Sequence, residues 1–242
     1  MIDTLSNALE LAGFSLKGFG PLLLNGAWMT VKLSVASLLL SVLLGLAGAS
    51  AKLSGKHWLR MPAQLYTTLI RGVPDLVLML LIFYSLQTWL TMLTVALGWD
   101  YIEINPFAAG ILTLGFIYGA YFTETFRGAM LAVPRGQLEA ATAYGLSRAQ
   151  RFRLVVFPQM MRFALPGLGN NWMVILKATA LVSIIGLADL VKAAQDAGKS
   201  TYQLFFFLML AALAYLVITS VSNVALRHLE RRYATGCREA VR

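Results

Sequence analysis

The sequence predicts an all-α integral membrane protein with five transmembrane helices in a single domain, 1–242, and three observations carry that prediction. Hydrophobic residues make up 58% of the chain and charged residues only 13%, against about a quarter charged in an average soluble domain. The apolar residues gather into five runs, each near or above the roughly 20 helical residues that a bilayer crossing needs. The Lys and Arg residues stand beside those runs in alternate loops. The formal net charge of +9 therefore reads as topology signals and not as a nucleic-acid surface.

Taken in order, Leu5, Leu9, Ala12 and Leu16 recur at roughly helical spacing, the pattern of an amphipathic segment on the membrane surface. Asp3 and Glu10 stand where a secretory signal would be basic, so the start reads as retained. The first span covers about 22–51, with Lys32 long enough to snorkel to an interface. Lys52, Lys56, His57 and Arg60 follow as a short basic loop. The second span covers about 63–97, and Pro74 near its start should kink or restart the helix. A loop with Asp100 and Glu103 but no Lys or Arg precedes the third span, about 107–131. The fourth covers about 162–187 and the fifth about 203–226, with a mixed loop between them and a basic tail behind.

Counting Lys and Arg side by side gives fifteen residues against five. The excess places the N-terminus outside and the C-terminus inside. The loop 132–158 is then cytoplasmic.

That loop has a defined internal pattern. A helix over 137–144 should end at Gly145 in the left-handed conformation, with Leu146 supplying the accompanying apolar contact. Ser147 and Gln150 form a capping-box pattern that starts a second helix before Pro158. Composition alone leaves an ordinary connector and a helix-Gly-helix device equally open.

Catalytic chemistry finds little support. The stretch 193–200, A-A-Q-D-A-G-K-S, is a degenerate phosphate loop without its first Gly or a preceding strand, and it reads as an exposed turn on the outer side. His57 and His228 lie at span ends with no Cys or carboxylate at ligand spacing. The single Cys237 offers neither a disulfide nor a thiolate site. No metal site and no catalytic residue is expected.

The ionisable groups inside the apolar runs carry more weight, because each is costly in hydrocarbon. Glu124 is expected to pair with Arg127 or with Arg71, and alternatively to face a polar cavity and attract a cationic solute. Asp75, four residues after Arg71, is expected to pair with it or cap the restarted helix. The fourth span mixes Gly167, Gly169, Asn170 and Asn171 with Lys177, Thr179 and Ser183, which fits tight packing or a wetted pathway wall. Lys177 either snorkels outward or offers a cation to an α-carboxylate.

Against this background the elbow gains a further meaning. Glu139-Ala140-Ala141, then Gly145, then Val155-Val156-Phe157-Pro158 resembles the E-A-A signature of the permease subunits of bacterial ABC importers, in which E-A-A, three residues, Gly and nine residues precede Ile-x-Leu-Pro. Spacing is kept, and Val and Phe preserve apolar character. Arg71-Gly72-Val73-Pro74, Tyr118-Gly119-Ala120-Tyr121 with Glu124, and the run from Leu176 to Ser183 resemble the polar amino-acid uptake branch. The runs 68–84, 114–128 and 188–201 resemble its Q-type permeases for histidine and for lysine, arginine and ornithine. Many relatives carry an acidic residue after the fourth-span lysine; here Ala178 stands there.

The resemblance implies the small type I importer fold in the bacterial inner membrane. It also implies an assembly with a homologous second permease, two cytoplasmic ATPase subunits and a periplasmic solute-binding protein. ATP and Mg would be bound by the ATPase and no cofactor by this chain. The coupling residues would be Glu139, Ala140, Ala141, Gly145 and Pro158. Glu124, Tyr118, Asn171, Lys177, Thr179 and Ser183 would line the pathway, and Arg71, Asp75 and Arg127 would form structural ion pairs. A gradient-driven transporter or channel is the rival class; it predicts broken helices in matched halves, and no such pair stands out.

Overall fold

The structure is a computed structural model that describes residues 16 and 18–234. Most of the expected N-terminal surface segment and Cys237 lie outside the described residues. The regular elements among the described residues are helical. In chain order they are α1 (Gly20–Leu53), α2 (His57–Gly72), α3 (Asp75–Ala96), α4 (Pro106–Leu131), α5 (Arg135–Ala143), α6 (Arg148–Arg151), a π-helical turn (Phe152–Val156), α7 (Phe157–Val182), a 3-10 turn (Ser183–Ile185), α8 (Leu190–Thr201) and α9 (Leu204–Ala234). Five helical stretches are long and apolar enough to cross a membrane: Gly20–Leu53, Asp75–Ala96, Pro106–Leu131, Arg148–Ile185 and Leu204–Tyr233.

The centre of the bundle is the seam between α1 and α4. Within hydrocarbon, apolar surface gives helices little reason to associate, so close backbone approach through small residues supplies the packing. Residues 34, 37, 41, 45, 49 and 52 form one buried stripe of α1 at helical spacing. A Cβ on Gly45 would lie 2.5 Å from the Cβ of Phe122 and 3.0 Å from its carbonyl carbon. The fit is reciprocal, because a Cβ on Gly115 would meet Leu40 at 2.5 Å and one on Gly119 would meet Leu44 at 2.9 Å. The Ser41 hydroxyl donates to the Ser37 carbonyl at 2.7 Å and across the seam to the Gly115 carbonyl at 3.3 Å. α7 then covers α4, with Gly167 against Thr125. Phe122, Leu114, Ile117 and Val182 are sealed in this core.

The second span is not one helix over 63–97. α2 ends at Gly72, and α3 restarts at Asp75. Pro74 lacks an N–H and forces Val73 into extended backbone, φ −116° and ψ 141°. α2 buries Ala63, Thr67 and Ile70 and leaves Trp58, Met61, Leu65 and Leu69 exposed along one face, an amphipathic helix leading into the crossing.

The fourth span also differs, because Pro158 does not end a helix. The helix runs from Arg148 to Ile185, and the turn before the proline widens so that the Phe157 N–H reaches the Phe152 carbonyl, five residues back. That wider turn accommodates a ring that would strain a regular helix.

Residues 193–200, read as an exposed turn, instead lie within α8. Ala193, Ala194, Ala197 and Gly198 are its buried face, set against α1 and α9. α3 and α9 leave most of their surface uncovered by this chain.

Candidate functional site

The elbow between the third and fourth spans is built from α5, α6 and the π-helical turn. α5 starts at Arg135, two residues before the sequence expectation, with Pro134 as an extended N-cap, φ −61° and ψ 131°, whose carbonyl accepts the Gln137 N–H at 3.1 Å. At its other end Gly145 adopts φ +74°. The Gly145 N–H donates to the Thr142 carbonyl at 3.0 Å and the Leu146 N–H to the Ala141 carbonyl at 3.1 Å, the paired bonds of a Schellman turn. Nothing lies within 4 Å of a Cβ added at Gly145. Backbone conformation, not space, sets the need for glycine there.

The second arm begins with both bonds of the capping box: the Gln150 N–H donates to Ser147 Oγ at 3.3 Å, and the Ser147 N–H to Gln150 Oε1 at 3.0 Å. The two arms are tied together. Arg151 Nη1 donates to Thr142 Oγ1 at 2.7 Å, and the Gln159 amide donates to Gln137. Ala141 is buried beneath the returning arm, whereas Glu139, Ala140 and Pro158 are exposed. Tyr144 is 87% exposed. Leu138, Glu139, Thr142, Ala143 and Arg151 border an open hollow of about 470 Å³.

Toward the bundle from the elbow lies a charged cluster. Glu124 of α4 accepts one ion pair from Lys52 on one oxygen and, on the other, Arg127 Nε at 2.9 Å. Lys52 was expected in a loop. It is in the last turn of α1 with its side chain 3% exposed, and it also donates to Thr67 Oγ1 at 2.5 Å.

Arg71 was expected to pair with Glu124 or Asp75 and does neither; its guanidinium lies 5.5 Å from the Tyr121 ring centre. Asp75 does not pair with Arg71 because the break at Val73 and Pro74 puts them on different helices. It receives instead the Tyr118 hydroxyl at 2.8 Å, which fastens the first turn of α3 to α4. Glu124 keeps 20% of its side chain exposed, on an open cavity of about 410 Å³ shared with Gln64, Thr67, Thr68, Arg71 and Tyr121.

The remaining expected pathway residues do not gather into one site within this chain. Tyr118 is buried. Asn171 Nδ2 donates to Thr125 Oγ1 at 3.1 Å, holding α7 to α4. The hydroxyls of Thr179 and Ser183 donate back to the carbonyls of Leu176 and Ala180, each at 2.7 Å. Lys177 is exposed on the outer surface of α7. Among the described residues no three His, Cys, Asp or Glu side chains come together as a metal site.

Comparison with known proteins settles the family. The family described as "binding-protein-dependent transport system inner membrane component" matches residues 39–235. The chain belongs to this family. It is thus a multi-pass permease of the inner membrane.

The permease is 60% identical over 225 residues to the histidine/lysine/arginine/ornithine transport system permease protein HisQ of Salmonella typhimurium, covering 93% of this chain and 99% of that protein. It is 38% identical to the octopine transport system permease protein OccQ of Rhizobium meliloti, with 96% and 99% covered. Among solved structures, that of an amino acid ABC transporter with histidines matches with a TM-score of 0.76 at 35% identity, covering 90% of this chain and 96% of that one. The MetNI methionine ABC transporter shares the fold, with a TM-score of 0.70 at 18% identity and 88% and 96% covered.

Sequence reasoning missed Lys52 as a partner of Glu124 and Thr67 as the second acceptor for Lys52. A signal for Lys52 was present: it continues the 41, 45, 49 stripe of α1 at helical spacing. Placing it in a loop cut that stripe one turn short.

Proposed function

We propose that this chain is the transmembrane permease subunit of an ATP-driven importer for basic amino acids, histidine, lysine, arginine or ornithine. The observation that carries the reading is the end-to-end similarity to HisQ, 60% over 93% of this chain. The N-terminus is outside, the C-terminus and elbow are cytoplasmic, and a soluble binding protein delivers solute to the opposite face. A second permease completes the pathway, because Glu124, Asn171, Lys177, Thr179 and Ser183 do not gather into one site within this chain and five helices do not enclose a solute alone.

ATP and Mg are held by two partner ATPase subunits, and this chain carries out no hydrolysis. α5 offers Glu139 and Ala140 to a groove of the ATPase, and Gly145 sets the angle at which the returning arm enters the fourth span. Closure of the ATPases then moves a unit stiffened by the Arg151–Thr142 bond. The continuous helix from Arg148 to Ile185 transmits that movement into the membrane. Glu124, on its polar cavity, contributes a carboxylate oxygen to a passing cation, while Lys52 and Arg127 hold the side chain in place.

The test is affinity purification of the tagged permease from its native membrane, followed by uptake measurements in proteoliposomes. Co-purification of an ATP-binding chain and ATP-dependent accumulation of labelled arginine, lysine or histidine, but not of leucine, are expected. Uptake driven by an ion gradient with no ATP-binding chain present would refute the reading.

A further inference from the structure

At the end of the bundle opposite the elbow, a carboxyl group is sealed where α1, α7, α8 and α9 meet. Asp189 is fully buried. As the N-cap of α8 it receives the Lys192 N–H on Oδ1 at 2.9 Å, while Oδ2 is buried with no hydrogen-bond partner. The neighbouring Leu190 N–H is taken by Thr30 Oγ1 at 3.2 Å, stitching α8 to α1. The approach is close: a Cβ on Gly26 would lie 2.8 Å from the Asp189 carbonyl oxygen. Leu190, Ala194, Ala197, Phe207 and Ala211 make the adjoining wall apolar.

Among the described residues no cation pairs with this carboxylate. Lys192, the nearest in sequence, reaches out to Asp196 at 3.3 Å. On α1, Lys32 sits over Trp28 at the surface. On α7, Lys177 is exposed and Thr179 spends its proton on the Leu176 carbonyl. α9 packs Tyr215 against the same apolar wall. The Tyr215 oxygen is likewise buried without a hydrogen-bond partner.

An unpaired carboxylate in such a place is costly, and protonation removes most of that cost.

We propose that Asp189 is a proton-binding site: its Oδ2 takes up a proton while α8 is seated against α1 and α9, and releases it to water when α8 lifts away. Burial pushes the Asp189 carboxyl up from 3.8 to about 6 in the seated state. The sign follows from linkage. The seated state holds the proton more tightly than the open one, so seating is strongest below about 4, weakens as pH rises toward about 6, and is constant above that.

Amide hydrogen exchange of residues 190–201 in the assembled importer, corrected for intrinsic rates, tests this. In the wild type, protection is expected to fall about tenfold per pH unit between about 4 and 6 and then level off. Asp189→Asn preserves the cap acceptor and mimics the neutral acid, so its protection should stay high throughout. Asp189→Ala, which loses the cap, should be weakly protected at every pH. A wild-type profile flat across this range, or the same fall in Asp189→Asn, would overturn the proposal.

Discussion

Lys52 at the end of α1 and Glu124 in α4 form an ion pair across 72 residues of sequence, with the ammonium almost wholly buried. The pair closes the end of the α1–α4 seam near the elbow, and Arg127 completes it at 2.9 Å. Removing one member leaves the other charge stranded. Glu124→Gln should therefore destabilise the assembled importer by about 3–5 kcal/mol, because the buried Lys52 ammonium loses its counter-charge and keeps only neutral acceptors. Lys52→Met should cost about 1–3 kcal/mol, since Glu124 keeps Arg127. The double variant should be less damaged than the sum of the two, by about 0.5–3 kcal/mol, as read by thermal unfolding in detergent. Lost uptake in Glu124→Gln alone does not identify a solute contact; uptake must be compared at matched stability.

The seam itself predicts a sharp dependence on side-chain size. Gly45→Ala drives a methyl group against the Phe122 backbone and should cost about 1–3 kcal/mol. Gly136→Ala, at an open position within α5, should leave stability unchanged or slightly raise it. Melting temperatures of the two purified variants check the contrast.

The elbow's stiffness rests partly on the Arg151–Thr142 bond, one of two side-chain bonds between its arms. Thr142→Val removes the acceptor for Arg151 and should lower the protection of residues 135–157 by about 0.5–1.5 kcal/mol while leaving the spans intact. Amide exchange resolved by segment gives the reading. Equal loss in the spans and the elbow would argue against a local clamp.

Much of this architecture is legible in the sequence because the membrane makes its demands simple. Five long apolar runs become five crossings, and turn chemistry at Gly145 and at Ser147 with Gln150 appears as the expected Schellman turn and capping box. Local rules succeed where local bonds decide. They fall short where a distant helix supplies the partner. Asp75 and Arg71 stand at pairing distance in sequence, yet Tyr118 takes Asp75, because Pro74 breaks the helix and α4 packs beside the restart. Lys52 looked like a loop residue because one cation among four polar neighbours carries no mark of burial; only the stripe running from Ser34 places it inside. The amphipathic character of α8 was hidden behind a false phosphate-loop match. Its Asp189 cap was visible as a residue type but not as a buried one.

Gly145 gives the most direct test of the proposal that the elbow couples ATP hydrolysis to transport. Its φ of +74° is costly for a β-branched residue, about 1–2 kcal/mol or more, and is accessible to asparagine. In proteoliposomes of the assembled importer with ATP inside, at a temperature where the variant stays folded, Gly145→Val should reduce arginine or lysine uptake by at least about tenfold, the equivalent of 1.4 kcal/mol. Gly145→Asn should keep most of the uptake. Full ATP-driven uptake by Gly145→Val would contradict the account.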